Sequence, residues 1–389
     1  MMEVDEQPND EPCETPIGEK VDTKDVNNHQ DTASSELPNN LDTSTCKSFP
    51  GLASTSASLV RGIYLYPDSC DLETLYIVLI QDECVSIWWR ESDSTTEWNL
   101  VSHTIDEEPT NLNCSVIESK QFIWIGLIYD GLKYLTLTHL RFDKIAKNVK
   151  LYLREFFAST FISAEMINKC QLRRATINIA CLPNEKSVLS IPGPSNTIKI
   201  FLYDLPTSSK TYLTSINARN VTTSCILPVD DWDIAFIAHF DNRIQIWNTN
   251  DKSLINSIHA ERSIFENKIC FDVMHDKGLV YLFIGDPRSS AIDVIALNPK
   301  TGRYASLMSC NIFETDVTNP LSFNKIKRSG NQLLLVKDDG VVLYDLANSK
   351  SVLNCGQTSI KDASIGFVKD KAVIFAATTY GKIINLLNS

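Results

Sequence analysis

The stretch 233–248 alternates apolar and polar positions on both sides of a polar turn. The apolar run 234–238 leads into a turn at Asp241, and Ile244 and Ile246 alternate with polar residues beyond it. Alternation with a period of two around an Asx turn predicts a β-hairpin that buries one face. We therefore expect this part of the chain to lie in an antiparallel sheet.

The same hairpin pattern recurs along the chain, and the tripeptide Ile246-Trp247-Asn248 resembles the Trp-Asp that ends the third strand of a WD40 blade. From Tyr203 onward, equivalent positions return about every 42 to 50 residues, the spacing of four-stranded propeller blades. We count seven such units, and the pattern predicts an all-β fold, a seven-bladed WD40-like β-propeller. The units cover residues 75–89, 120–137, 186–204, 233–248, 278–299, 331–345 and 371–388.

The flanking segments define the predicted domain boundaries. Residues 1–52 are rich in Asp, Glu, Asn, Ser, Thr and Pro and lack apolar periodicity, which predicts a disordered acidic tail. Residues 53–389 would form the propeller, with the spare strand 59–66 completing the last blade. The stretch 142–172 fits the pattern poorly, and we expect a short helix over 149–157 there. The tail is interpreted either as a linear-motif or phosphorylation segment or as a solvating extension.

Charge and composition limit the classes of function. The chain has 389 residues and a net charge of −12, but residues 1–45 hold twelve Asp or Glu against Lys20 and Lys24 alone. The remainder is close to neutral, so the electrostatic footprint of a duplex DNA-binding protein is missing and direct DNA binding is the weaker expectation. No apolar run reaches the length of a membrane span, so no membrane association is expected. Eleven cysteines without CxxC pairs favour a reducing compartment.

Motifs for catalysis and metal binding are missing from the sequence. The six histidines form no HxxxH or HxH pattern, and there is no GxSxG, P-loop or GxGxxG. We therefore expect a protein that is not an enzyme, with no catalytic residues, no metal and no cofactor.

The C-terminal half resembles the WD40 domain of a known family, the partner-and-localizer protein of the type-2 breast-cancer susceptibility protein. The resemblance spans about residues 60–389 and is strongest from about residue 225. Its most specific element is the Asn-Pro-Lys-Thr run at 298–301, which lies at the right distance after the Ile-Trp-Asn strand. The stretches that carry it are 85–88, 241–248, 277–284, 294–301 and 381–384.

This resemblance implies a non-catalytic nuclear scaffold of homologous recombination and double-strand break repair. In that family, an amphipathic helix of the partner lies in an apolar cleft between the fourth and fifth blades, which is helix-in-groove recognition. The matching positions here are Ile234, Val280 and Pro299, although strand burial is an alternative explanation for Ile234 and Val280. Asp272 stands where the family has a basic residue, so the rim charge of the cleft would be reversed.

The implied partners are a breast-cancer-type-2-like recombinase loader and, with it, a strand-exchange recombinase. The family's N-terminal coiled coil and its basic DNA-binding regions have no counterpart in the sequence given. The alternative function is a WD40 substrate receptor or adaptor of a ubiquitin ligase, which would bind through the loops of its top face. A propeller hydrolase would need convergent carboxylates or metal ligands at the central channel.

Overall fold

A computed structural model describes the following residues, all of which lie in one compact unit, Leu37–Ser389. They are 47–53, 58–67, 74–90, 98–105, 109, 112–130, 134–158, 177–182, 185–193, 197–217, 221–229, 232–239, 243–248, 253–259, 270–276, 278–285, 291–298, 300–311, 323–329, 332–337, 340–348, 350–356, 359–368 and 371–386. Of the predicted disordered tail, residues 47–52 lie in a strand. For residues 1–46, which are outside this set, disorder stays a prediction.

The described residues form strands and turns without a helix, and their strands make seven four-stranded antiparallel sheets. Sheet 1 contains β2 (Val60–Pro67), β3 (Leu75–Gln81), β4 (Cys84–Arg90) and β5 (Asn99–Thr104). Sheet 2 contains β6 (Leu112–Glu118), β7 (Phe122–Asp130), β8 (Tyr134–Asp143) and β9 (Asn148–Ala158). Sheet 3 contains β10 (Asn178–Leu182), β11 (Lys186–Gly193), β12 (Thr197–Asp204) and β13 (Ser209–Asn217).

Sheets 4 to 6 keep the same sequential strand order, whereas sheet 7 takes one of its four strands from the other end of the described residues. Sheet 4 contains β14 (Val221–Val229), β15 (Trp232–His239), β16 (Arg243–Asn248) and β17 (Ser253–His259). Sheet 5 contains β18 (Cys270–Asp276), β19 (Leu279–Gly285), β20 (Ala291–Leu297) and β21 (Tyr304–Asn311). Sheet 6 contains β22 (Phe323–Ser329), β23 (Gln332–Lys337), β24 (Gly340–Asp345) and β25 (Lys350–Gly356). Sheet 7 contains β26 (Ile360–Val368), β27 (Lys371–Thr378), β28 (Lys382–Asn385) and β1 (Lys47–Ala53).

The hairpins expected from the sequence are confirmed, because each of the seven units contains the second and third strands of one sheet. In the central unit, Ala235 pairs with Trp247 and Ala238 pairs with Ile244. Among these middle strands, β3 and β23 are mostly buried on both faces. Their continuous apolar runs made them visible in the sequence.

The expected helix over 149–157 is wrong, because these residues lie in β9 and pair with β8. The register shift in this pair leaves Tyr152 as an extra residue on β9. Such a bulge interrupts the alternation of a strand. Val149, Leu153 and Phe156 then recur at helix-like spacing, which explains the misleading pattern.

The strand that completes sheet 7 is not the one expected. Residues 59–66 fall largely in β2, which pairs with β3 and starts sheet 1. Sheet 7 is completed by β1, whose Ser48 pairs with Ile384 and whose Ala53 pairs with Lys382. The sequence of β1 contains Pro50 and Gly51, residues depleted in strands but tolerated at a sheet edge.

The turn after the third strand is built in the same way in four sheets. An Asp or Asn at the end of the strand accepts hydrogen bonds from backbone N–H groups two or three residues later, which is an Asx turn. Oδ1 of Asp143 accepts from Ile145 N and Ala146 N at 2.9 and 3.0 Å. The equivalent acceptors in the other three sheets are Asp204, Asn298 and Asp345.

Apolar side chains fill the spaces between neighbouring sheets. Separate hydrophobic clusters join sheets 1 and 2, sheets 2 and 3, sheets 5 and 6, sheets 6 and 7, and sheets 7 and 1. Each first strand contacts the first strand of the next sheet, in the order β2, β6, β10, β14, β18, β22 and β26. The last of them, β26, contacts β2. The core therefore lies between sheets, as expected when every sheet buries both faces.

Among the described residues, no helix is long and apolar enough to cross a membrane.

Candidate functional site

The predicted cleft residues Ile234 and Val280 lie on the second strands of sheets 4 and 5. The backbone of Ile234 pairs with Leu227 on β14 and Asn248 on β16. Val280 pairs with His275 on one side and Leu297 on the other, and its side chain has no exposed surface. A bound helix would reach Val280 only after the side chains that cover it had moved.

The structure says less about Asp272 and Pro299, the other two predicted cleft residues. Asp272 is on β18, where its backbone pairs with Phe283, and Pro299 lies outside the described residues. β18 contacts β14, so sheets 4 and 5 are neighbours. The assignment of these four residues to a peptide cleft remains a prediction.

A polar cluster that the sequence analysis missed joins the first strands of sheets 1, 6 and 7. Lys327 Nζ on β22 donates to Asp362 Oδ2 on β26 at 2.9 Å and to the carbonyl oxygen of Ile63 on β2 at 2.8 Å. The same Oδ2 accepts from Ile63 N at 2.9 Å, and Oδ1 accepts from Ala363 N at 2.9 Å. Asp362 is fully buried, so this ion pair ties three sheets together.

Two tyrosines extend the cluster to sheet 2. Tyr64 OH donates to the carbonyl oxygen of Cys114 at 3.1 Å, and Lys327 Nζ lies 5.0 Å from the Tyr64 ring centroid. Tyr66 OH donates to the carbonyl oxygen of Val116 at 2.6 Å. Burial raises the pKa of both phenols above the ordinary range, so both stay protonated at neutral pH.

One of the polar contacts between sheets 2 and 3 involves a hydroxyl and a thiol. Cys181 N on β10 donates to Ser115 Oγ on β6 at 2.9 Å, and Cys181 Sγ donates to the carbonyl oxygen of Ser115 at 3.5 Å. Burial raises the pKa of the Cys181 thiol to about 12. A thiol that remains protonated is a poor nucleophile, so this contact is structural.

These groups are suited to fixing strands, since the cluster has a neutralised charge pair, protonated phenols and a protonated thiol. No group of three His, Cys, Asp or Glu side chains that could hold a metal ion occurs within the described residues. Sequence reasoning missed this cluster, because Lys327 belongs to the short basic run 325–328, which is typical of a solvated loop but lies in β22, and Asp362 is 35 residues away. Their pairing depends on contacts between distant sheets.

Comparison with known proteins is informative only at the level of structure. No protein-family model matches the sequence, and no curated protein matches it either.

Many solved structures resemble this fold, and two of them illustrate the likeness. Sqt1 of Saccharomyces cerevisiae superposes with a TM-score of 0.55 at 11% identity, covering 87% of this chain and 98% of that chain. The β-propeller domain of Cps50 (Swd1) from Myceliophteria thermophila gives a TM-score of 0.56 at 12% identity, again covering 87% of this chain and 98% of that chain. The chain therefore has the fold of a WD40-type β-propeller. At such low identity, the likeness extends to the fold alone.

Proposed function

We propose that this chain is a non-catalytic protein-interaction scaffold. The observation that carries the proposal is the WD40-type propeller fold, in which polar residues at the sheet contacts are used to join strands. Propellers of this class present loops and inter-blade surfaces on a rigid frame, and function depends on those surfaces.

We further propose that the seven sheets are the blades of one closed ring. Two observations support the ring: the first strands contact one another in an order that returns to β2, and a hydrophobic cluster joins sheet 7 to sheet 1. β1 would close it by supplying the outer strand of the last blade.

As the specific role, we propose a nuclear scaffold of homologous recombination and double-strand break repair. In this role, a helical segment of a breast-cancer-type-2-like recombinase loader would bind between sheets 4 and 5. A strand-exchange recombinase would join the complex together with that loader. The support is the family resemblance together with the matching positions of Ile234 and Val280 on neighbouring sheets. No cofactor is required, because helix-in-groove binding depends on apolar burial.

The Ile234→Arg substitution tests the cleft. An arginine in the anchor pocket would place a charge where an apolar side chain should enter, and we expect it to cost about 2 to 4 kcal/mol of binding free energy. The measurement is a pull-down with the full-length chain from a nuclear extract of the source organism, followed by mass spectrometry. The wild type should recover a large recombinase-binding protein that the variant does not.

The matched control is Leu254→Arg, which adds the same charge at a half-exposed apolar residue on β17 of the same sheet. It should bind like the wild type. If a folded Ile234→Arg protein recovers the partner as well as Leu254→Arg does, the cleft assignment is wrong. Thermal unfolding of both variants establishes that they are folded.

The alternative is a substrate receptor or adaptor of a ubiquitin ligase. The same pull-down distinguishes it, because cullin-type ligase subunits would then be recovered in place of a recombinase-binding protein. Recovery of those subunits by Ile234→Arg as well would assign binding to loops outside the cleft.

A further inference from the structure

Four short segments meet at one end of the hairpins β3–β4 and β27–β28 and form a continuous surface, which we call the turn platform. The segments are 58–60, 82–83, 359–361 and 379–382. They come from sheets 1 and 7, the two sheets that bring the beginning and the end of the described chain together.

Hydrogen bonds make the turn platform rigid. Thr379 N donates to the carbonyl oxygen of Ser359 at 2.8 Å, and Val60 N donates to the carbonyl oxygen of Thr379 at 3.1 Å. On the other side, Asp82 N donates to the carbonyl oxygen of Leu59 at 3.1 Å. A surface with fixed backbone loses little conformational entropy when it binds a ligand.

Two apolar side chains are exposed on this rigid base. The Tyr380 side chain is 68% exposed and Leu59 is 41% exposed. Tyr380 lies in a tight turn closed by the hydrogen bond from Gly381 N to the carbonyl oxygen of Thr378, at 3.1 Å. Exposed tyrosines on ordered turns are favoured contact residues because they bury much area with few rotatable bonds.

Two exposed lysines flank Tyr380. Lys361 is the extra residue of a bulge, between Ile360, which pairs with Thr378, and Asp362. The bulge turns Lys361 outward, while its two neighbours are buried. Lys382 follows the same turn, and its backbone N–H donates to Thr378 Oγ1 at 3.1 Å.

The other charges of the turn platform leave a small positive excess. Arg61 binds both carboxylate oxygens of Asp82, at 2.5 and 2.9 Å, so that pair is neutral. Glu83 is exposed and balances one lysine. The two exposed lysines therefore exceed the one unpaired carboxylate of the platform by a single charge.

We propose that the turn platform binds an acidic peptide segment of a partner protein, with an apolar or aromatic residue of that segment packed on Tyr380 and Leu59. Acidic residues on either side of this anchor would face Lys361 and Lys382. The site is independent of the cleft between sheets 4 and 5. It would give the scaffold a second point of attachment.

The composition favours a peptide over a nucleic acid. Phosphate backbones are bound by many cations along an extended path, whereas here two lysines stand next to an acidic residue and an apolar pair. Charge complementarity and an aromatic anchor together are the usual basis of peptide recognition on a small surface.

A selection from a random peptide library displayed on phage, with the full-length chain as bait, tests the proposal. We expect the enriched sequences to carry Asp or Glu on both sides of an aromatic or large aliphatic residue. The double substitution Lys361→Glu/Lys382→Glu should weaken binding of the best enriched peptide about tenfold in fluorescence anisotropy, because two attractions become repulsions. Tyr380→Ser should weaken it without changing its dependence on salt.

The matched control is Lys300→Glu, which reverses an exposed lysine on the turn of another sheet and should leave the affinity unchanged. Ile234→Arg should also leave it unchanged, so failure of the cleft and failure of the turn platform are separable. Enrichment of peptides without acidic residues, absence of any enrichment, or equal affinity for the double variant and Lys300→Glu would overturn the proposal. If oligothymidylate competed at concentrations similar to those of the peptide, the ligand of the turn platform would be a nucleic acid and the peptide proposal would be wrong.

Discussion

His139 shows how burial determines the chemistry of a single residue in this protein. The imidazole has no exposed surface, and its Nε2 lies 2.8 Å from Ser187 Oγ on the next sheet. Its Nδ1 has no hydrogen-bond partner among the described residues. Burial lowers the pKa of His139 from 6.5 to about 4, so the ring is neutral in the folded protein at physiological pH.

This lowered pKa predicts a loss of stability in mild acid. The unfolded chain binds a proton below pH 6.5 and the folded chain only near pH 4, so the contribution is fully present above pH 6.5 and declines towards pH 4. The shift corresponds to about 3 kcal/mol of unfolding free energy. We expect His139→Gln to lose less stability over this range than the wild type, measured by urea unfolding. Parallel pH profiles for the two proteins would show that His139 does not titrate in this way.

Replacing the buried carboxylate of Asp362 should lower the stability of the protein strongly. Asp362→Ala removes the acceptor of Lys327 Nζ and of two backbone N–H groups, and we expect a loss of about 3 kcal/mol in unfolding free energy. The matched control is Asp345→Ala, which deletes a carboxylate from an exposed Asx turn and should cost about 1 kcal/mol. Equal losses in urea unfolding would mean that the pair does not join the sheets.

At the scale of the strand, the sequence predicted middle strands well and outer strands poorly. Middle strands such as β3 and β23 are buried on both faces and appear as apolar runs. Outer strands contain bulges: the register shifts at Tyr152 on β9, at Leu213 on β13 and at Ile255 on β17. Each bulge interrupts the alternation on which strand prediction depends.

The pairing of β1 with β28 predicts that the two strands can be cross-linked. Cα partners in antiparallel strands lie at a distance that suits a disulfide, and Ala53 is the partner of Lys382, whose side chain is exposed. The oxidised Ala53→Cys/Lys382→Cys protein should be more stable than its reduced form by about 3 kcal/mol, because the bond closes a very long loop.

Thermal unfolding with and without reductant measures this effect, and mass spectrometry of a digest identifies the bond. Ala53→Cys alone is the control and should show no change between the two conditions. Failure of the two cysteines to form a bond under oxidising conditions would contradict the register of β1.

At the scale of the whole molecule, stability depends on close packing between sheets. A Cβ atom on Gly126 would lie 2.6 Å from Ile179 Cδ1 and 2.9 Å from Cys181 Sγ, so a larger residue on β7 would fit only if these side chains of sheet 3 moved. Neighbouring sheets share hydrophobic clusters, and disturbance at one contact should therefore affect both sheets.

Gly126→Val is expected to lower the unfolding free energy by about 2 kcal/mol, because overpacking forces the two sheets apart. Hydrogen exchange should increase in both sheets 2 and 3, including the pair between Ile179 and Leu189. Increased exchange in sheet 2 alone would show that the sheets unfold independently.

The candidate sites were accessible to sequence analysis to different degrees. Ile234 and Val280 were assigned to a cleft through the family resemblance, and the pattern alone could not separate a cleft from ordinary burial, so that assignment stays a prediction. The cluster at Lys327 and Asp362 was missed because its members lie on strands of different sheets. The turn platform was missed for the same reason: residues near 60 and near 380 come together only when β26 and β27 contact β2.

The pairing of β1 with β28 also has a consequence for synthesis on the ribosome. Of the strands described, β1 emerges first and its partner β28 emerges last, so β1 must wait through the translation of all the others. During that interval β1 has no partner strand, and an unpaired strand is a site for association with other nascent chains. Translation speed and chaperone access should therefore influence the yield of this protein more than that of a fold whose strands pair with their neighbours in sequence.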